Sequence, residues 1–234
     1  MKIRRWIFAI ISAAAFYALT FSPASATPEL AEWIFNVDGV ISDSLDGDSM
    51  PTEGALDASG LGTLTWTTDI VGDHTFIAFF DHEIDEQENS YSNEYGYTSG
   101  TPAAGQSWEI DEPGYVSGDI YDNVVAGALD NGIGIGGSGT TFPDDVSMAM
   151  GWDFTVAVGQ TATIALILGE SVPSEAFYLT QTDPDSQETI YFSSTLEFSS
   201  EGAEPVPEPA TMLLLGTGLA GLAALRKKRR RTVA

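Results

Sequence analysis

The chain has 234 residues, 43% of them hydrophobic and 11% aromatic, enough for one domain with a real core and a soft argument against two. It carries 34 acidic residues against 9 basic ones, a formal net charge of −25, and no cysteine, which excludes disulfides, thiolate metal sites and cysteine nucleophiles. Every Lys and Arg lies in one of two terminal blocks, Lys2 to Arg5 and Arg226 to Arg231, while every acid lies between Thr27 and Pro209. A body without Lys or Arg forms no salt bridge with them and cannot grip phosphate, so nucleic acid is excluded as a partner. Its carboxylates must be solvated, hydrogen-bonded or bound to metal. An acidic solubilising surface for a salty medium and a specific role for a cation both remain open.

At the N-terminus, Lys2, Arg4 and Arg5 precede an apolar run from Trp6 to Leu19, and Ala24-Ser25-Ala26 follows as a small-x-small site. This order predicts a signal peptide over residues 1–26, cut by signal peptidase after Ala26, with Ala24 and Ala26 filling the shallow clefts of the enzyme. The run is short for a membrane span, which needs about 20 residues.

Residues 27–200 read as all-β. Ala31, Trp33, Phe35 and Val37 alternate with polar neighbours, as do Leu64 and Trp66, then Met148 to Val156, Ala162 to Leu168 and Ile190 to Phe198. That period of two, rich in β-branched and aromatic residues, predicts a single antiparallel β-sandwich of jelly-roll type. Asp38-Gly39, Asp46-Gly47, Asn131-Gly132 and Asp183-Pro184 mark turns. Val158-Gly159-Gln160-Thr161 reads as a tight hairpin, and no amphipathic helix is legible in the body. Gly134, Gly136 and Gly139 spell G-x-G-x-x-G, as do Gly216, Gly218 and Gly221, yet neither follows a strand and opens a helix as a dinucleotide site requires.

Catalytic chemistry finds little support. His74 and His82 are the two histidines, no G-x-S-x-G elbow is present, and their spacing matches no zinc pattern. A glycoside hydrolase needs only two carboxylates, so that class stays as a weak alternative to a protein that is not an enzyme. Trp108, Tyr115, Tyr121 and the Tyr91, Tyr95, Tyr97 stretch are candidate platforms for carbohydrate. No cofactor is required by any motif. Calcium is the one ion the residues suggest. Asp81, Glu83 and Asp85 end an apolar run from Thr75 to Phe80, and alternation places all three side chains on one face. Asp43, Asp46 and Asp48 form a second acidic loop, and neither stretch has EF-hand spacing.

Residues 201–209 form a Pro/Glu linker that ends in Val206-Pro207-Glu208-Pro209. Residues 210–225 are an apolar run read as a transmembrane helix, and 226–234 a basic cytoplasmic tail. Arg226, Lys227, Lys228, Arg229, Arg230 and Arg231 act as the stop, because cations do not cross hydrocarbon. Pro-Glu-Pro, a short Gly/Ala/Leu helix and a terminal Arg/Lys cluster, in that order, resemble the PEP-CTERM sorting signal. The resemblance covers about Val206 to Arg231, and only Thr232-Val233-Ala234 trails the usual pattern. It implies handling by exosortase, a transpeptidase-like membrane enzyme of Gram-negative bacteria that make exopolysaccharide. It also implies an inner-membrane stage, transient or permanent, before the cell surface or matrix. Gly60 to Trp66, Phe79 to Asp85 and Tyr191 to Leu196 resemble ectodomains found ahead of such tails, with no activity attached. The sequence thus points to an exported structural or adhesive protein associated with exopolysaccharide, with a carbohydrate-binding module as alternative.

Overall fold

The computed structural model describes residues 28–84, 93–114, 116–134, 145–174 and 177–200. The signal peptide with Ala24 and Ala26, Asp85, Tyr91, Tyr115, the Pro-Glu-Pro motif, the apolar run and the basic tail lie outside them. Among the described residues no helix is long and apolar enough to cross a membrane.

In chain order the elements are β1 (Pro28–Val37), β2 (Val40–Asp43), β3 (Glu53–Leu56), β4 (Gly62–Thr68), β5 (Gly72–Ile84), β6 (Tyr95–Ser99), β7 (Gln106–Asp111), α1 (Ile120–Ala126), β8 (Gly132–Ile133), β9 (Ser147–Val156), β10 (Gln160–Gly169), β11 (Tyr178–Thr182) and β12 (Thr189–Ser200). They build two six-stranded sheets, β2-β1-β5-β9-β7-β8 and β3-β4-β10-β12-β11-β6. Neighbours are antiparallel apart from the β7–β8 pair. The two inner faces share one core in which Phe35, Phe76, Phe80 and Met148 of the first sheet meet Leu64, Ile164, Leu166 and Phe192 of the second. This is the all-β sandwich that period two predicts, since alternate residues of each strand must find apolar cover.

Local chemistry explains several joints. Asp38 and Gly39 have φ of 53° and 82°, the left-handed pair that a two-residue type I′ hairpin needs between β1 and β2. Leu30 opposes His82 while Glu32 opposes Asp81, so Ala31 is an extra, bulged residue. The bulge leaves Ala31 exposed where strict alternation would bury it, and keeps Leu30 against the core.

Two expectations are corrected. The turn at Ala157 to Gln160 does not close a hairpin: β9 pairs with β5 and β7, and β10 pairs with β4 and β12. The turn instead carries the chain across the core from one sheet to the other. Period two identifies which face of a strand is apolar and says nothing of its partner. The body also has a helix. α1 lays Ile120 and Val124 on Ile34, Ile77, Phe79 and Ala149, covering the outer face of the first sheet. Seven residues with one i, i+4 apolar pair give too short a repeat to read in sequence. Its C-terminus closes on Gly127 (φ 75°), and the Asn36 amide donates to the carbonyls of Val124 and Val125.

Candidate functional site

The acidic end of β5 is the most unusual place in the described body. Phe80, His82 and Ile84 take the inner face, so Asp81 and Glu83 take the outer one, as the alternation predicts. The strand pairing then brings Glu32 of β1 opposite Asp81 and Glu29 opposite Glu83. On the other side Ser147 of β9 opposes Asp81, and Asp145 stands just before it. One carboxylate oxygen each from Asp81, Glu83 and Asp145 lie within 4.8 Å of one another. Asp81 is wholly buried, and neither of its carboxylate oxygens has a hydrogen-bond partner. Burial holds the Asp81 carboxyl well above the usual carboxylate range, and the charges of Asp145, Glu83, Glu32 and Glu94 push the same way.

Glu94 extends the cluster toward the core. Burial pushes it up to about 9, against the opposing hydrogen bond from Gln181, with Asp145 and Glu83 adding repulsion. The Gln181 amide also donates to the carbonyl of His82, and the Ile84 amide donates to Glu94 at 3.3 Å. Burial lowers His82 to about 4, so its neutral ring donates through Nε2 to the Gly60 carbonyl at 3.2 Å. His82 therefore faces away from the carboxylates and is no part of a ligand set with Asp81.

A second acidic group, Glu109, Asp111 and Asp119, also comes within 4.8 Å. Here the carboxylates serve the chain itself. Glu109 accepts from the Asn123 amide and from the backbone of Asp130, each at 3.0 Å. Asp111 accepts from the amides of Glu112 at 2.8 Å and Asp119 at 3.3 Å. Next to it, Glu112 accepts from the backbone N–H groups of Gly114, Val116, Ser117 and Gly118. Burial raises the Glu112 carboxyl, but those four donors outweigh it and the net shift is downward.

The third feature is an open cleft of about 660 Å³ lined by Asp38, Asp73, His74, Thr75, Asp153 and Phe154 among others. His74 Nδ1 lies 2.7 Å from Asp38 and Nε2 lies 2.8 Å from the Ile70 carbonyl. With both nitrogens against oxygens, the ring ties β5 to the β1–β2 turn and has none left for a hydroxyl. The Asp38 hydrogen bond is the main cause of its raised pKa, followed by the Ile70 carbonyl.

A family model described as the PEP-CTERM protein-sorting motif matches residues 205–230. The chain carries a PEP-CTERM sorting motif. Neither a curated protein nor a solved structure matches the chain. The PEP-CTERM match includes Val206, Pro207, Glu208 and Pro209 together with the basic residues up to Arg230. It marks the chain as exported and as a target for an exosortase-type enzyme.

Of the residues singled out in the body, Asp81 and Glu83 come together, while Asp145 is a partner the sequence did not reveal. Asp145 and Asp81 are far apart in the chain, and only β5–β9 pairing joins them. The candidate platforms separate. Trp108 is half-buried against Phe177 at 5.8 Å, and the Tyr121 hydroxyl donates to Asp43 at 3.4 Å. Tyr97 is exposed on β6, beside a pair formed by Tyr178 and Tyr191 with ring centres 5.7 Å apart.

Proposed function

We propose that the folded body is a structural or adhesive component of the cell envelope or extracellular matrix, delivered through its PEP-CTERM tail and associated with exopolysaccharide. The sorting motif at residues 205–230 is the observation that carries this reading. On it, residues 1–26 are removed, 210–225 hold the inner membrane during sorting and the basic block up to Arg231 stays in the cytoplasm of a Gram-negative cell. The body is not an enzyme on this reading, and its surface chemistry suits a passive polymer contact: acids keep it soluble and dispersed. The test is fractionation in a host with and without exosortase. Release to the surface only when exosortase is present supports the proposal, and equal release from both hosts overturns it.

A carbohydrate-binding role has one specific observation in its favour. On the outer face of the second sheet, Thr180 of β11 stands opposite Tyr97 of β6 and Tyr191 of β12, and Tyr178 lies two residues before it on the same strand. Aromatic rings amid hydroxyls, on a face where no acid intervenes between them, fit the apolar faces and hydroxyls of a neutral sugar. Loss of polysaccharide retention in a Tyr97→Ala, Tyr191→Ala double variant supports this role. Unchanged retention removes it.

A further inference from the structure

We propose that Asp81, Glu83 and Asp145 bind a single divalent cation, calcium in kind, that clamps the end of β5 to the start of β9. Three acidic side chains near one another are common on acidic proteins and show nothing alone. The distinguishing observation is Asp81, wholly buried, aimed into the cluster, and with both carboxylate oxygens lacking a hydrogen-bond partner. A buried carboxyl without a donor is costly to keep, and native proteins seldom leave one unless a ligand completes it. The neighbouring Glu109, Asp111 and Asp119 group provides the contrast, because backbone and Asn123 donors serve Glu109 and Asp111.

No side chain of the body can supply the missing charge, since Lys and Arg are confined to the two ends of the chain. Glu32 and Glu94, both buried, add their fields to Asp81 instead of relieving it. The counter-charge therefore comes from beyond the body. The donor set identifies its kind. All three ligands are carboxylates and His82 faces the opposite side of the strand, so a hard oxygen-seeking ion fits better than zinc. Calcium bonds of about 2.3–2.6 Å let ligand oxygens sit up to about 5 Å apart, whereas magnesium at about 2.0–2.1 Å confines them to about 4 Å. The three oxygens lie within 4.8 Å of one another, a reach calcium can span, and calcium gives up its waters to protein carboxylates more readily than magnesium does. Bidentate carboxylates, carbonyls and water can complete its six to eight ligands.

β5 and β9 are the middle strands of the first sheet, and the cluster lies where that pairing ends. An ion there would hold the open end of the sheet against the repulsion of its own acids. Extracellular modules bind calcium with Kd of about 10⁻⁴ to 10⁻³ M, so a site of this class fills outside the cell.

The experiment is thermal unfolding of the protein isolated from the cell surface, in about 5–10 mM calcium and then in chelator, at constant high ionic strength so that bulk screening is equal. Wild type and Asp119→Asn should each melt higher in calcium, by a few degrees up to roughly 10 °C. Asp81→Asn should melt at the same temperature in both buffers. Magnesium at the same concentration should give a much smaller rise. Should Asp81→Asn fail to fold, Glu83→Gln and Asp145→Asn carry the same expectation, and calorimetric titration of the wild type should give about one calcium per chain. Equal wild-type midpoints in calcium and chelator overturn the proposal. So does a full calcium response in the Asp81 or Glu83 variant, and an equal response to magnesium overturns the choice of ion.

Discussion

Replacing Glu112 by Gln isolates one carboxylate on which a whole loop depends. Among the described residues its oxygens accept four backbone N–H groups, at 3.2 Å from Gly114, 3.1 Å from Val116, 2.9 Å from Ser117 and 2.6 Å from Gly118. That loop leads directly into α1, which covers the outer face of the first sheet. Gln keeps the shape but offers one acceptor oxygen, turns an NH₂ toward donors and removes the charge. Hydrogen bonds to a charged group contribute about 1.5–3 kcal/mol each before the loop relaxes, and part of this loop reaches water. A loss of roughly 2–3 kcal/mol at neutral pH follows, or about 4–12 °C in melting temperature for a domain of this size. The pH dependence sharpens the test. The folded carboxyl titrates below its ordinary value of 4.5, so its contribution is present above that value and is lost as pH falls through the folded one. Once protonated, Glu112 resembles Gln, and the two proteins should converge in acid. Denaturant unfolding of both from about pH 3 to 7 measures this. A variant within 0.5 kcal/mol of wild type at neutral pH, roughly the scatter of ordinary surface changes, would refute the reasoning. A difference that persists unchanged into acid would do the same.

Phe80→Ala should cost about 3–5 kcal/mol, because the ring is wholly buried and sits edge-on to Phe35 at 5.8 Å and Phe192 at 5.2 Å, at the meeting of the two sheets; equilibrium unfolding checks it. Asp38→Asn should flatten one component of the stability curve above neutrality. The raised pKa of His74 means that its contribution is complete below about 6.5 and fades as pH rises through the folded value, so wild type should lose its advantage over the variant in that direction. Melting temperatures of the pair from about pH 5 to 9 give the difference directly, and a constant gap contradicts the assignment.

How far these features could be read from the sequence depended on whether the determinant was local. Asp38-Gly39 names its own turn, because two successive residues with positive φ are what a tight hairpin demands. Strand faces were legible from period two, and so was the shared face of Asp81 and Glu83. Pairing was not: the Ala157 to Gln160 turn looks the same whether it closes a hairpin or crosses between sheets, since β9 and β10 each bury one apolar face either way. Alternation groups Asp85 with Asp81 and Glu83, and Asp85 lies outside the described residues; Asp145 joins the site only through the β5–β9 register, which the sequence does not reveal. α1 and the Glu112 loop were hidden for a different reason. α1 is held by contacts to distant residues, Asn36 and Ile77 among them, and the Glu112 loop by backbone donors that leave no side-chain pattern. The sorting motif was the most legible feature because its reading needs only order along the chain: Pro-Glu-Pro, apolar run, cations.

The intact masses of the surface protein from wild-type and Glu208→Ala cells test the central claim most directly. The account predicts a wild-type form beginning at Thr27 and lacking the apolar and basic tail. The Glu208→Ala form should remain in the membrane fraction with residues 210–234 attached. A Glu208→Ala protein that reaches the surface with the parent's mass, less only the difference between Glu and Ala, would contradict it.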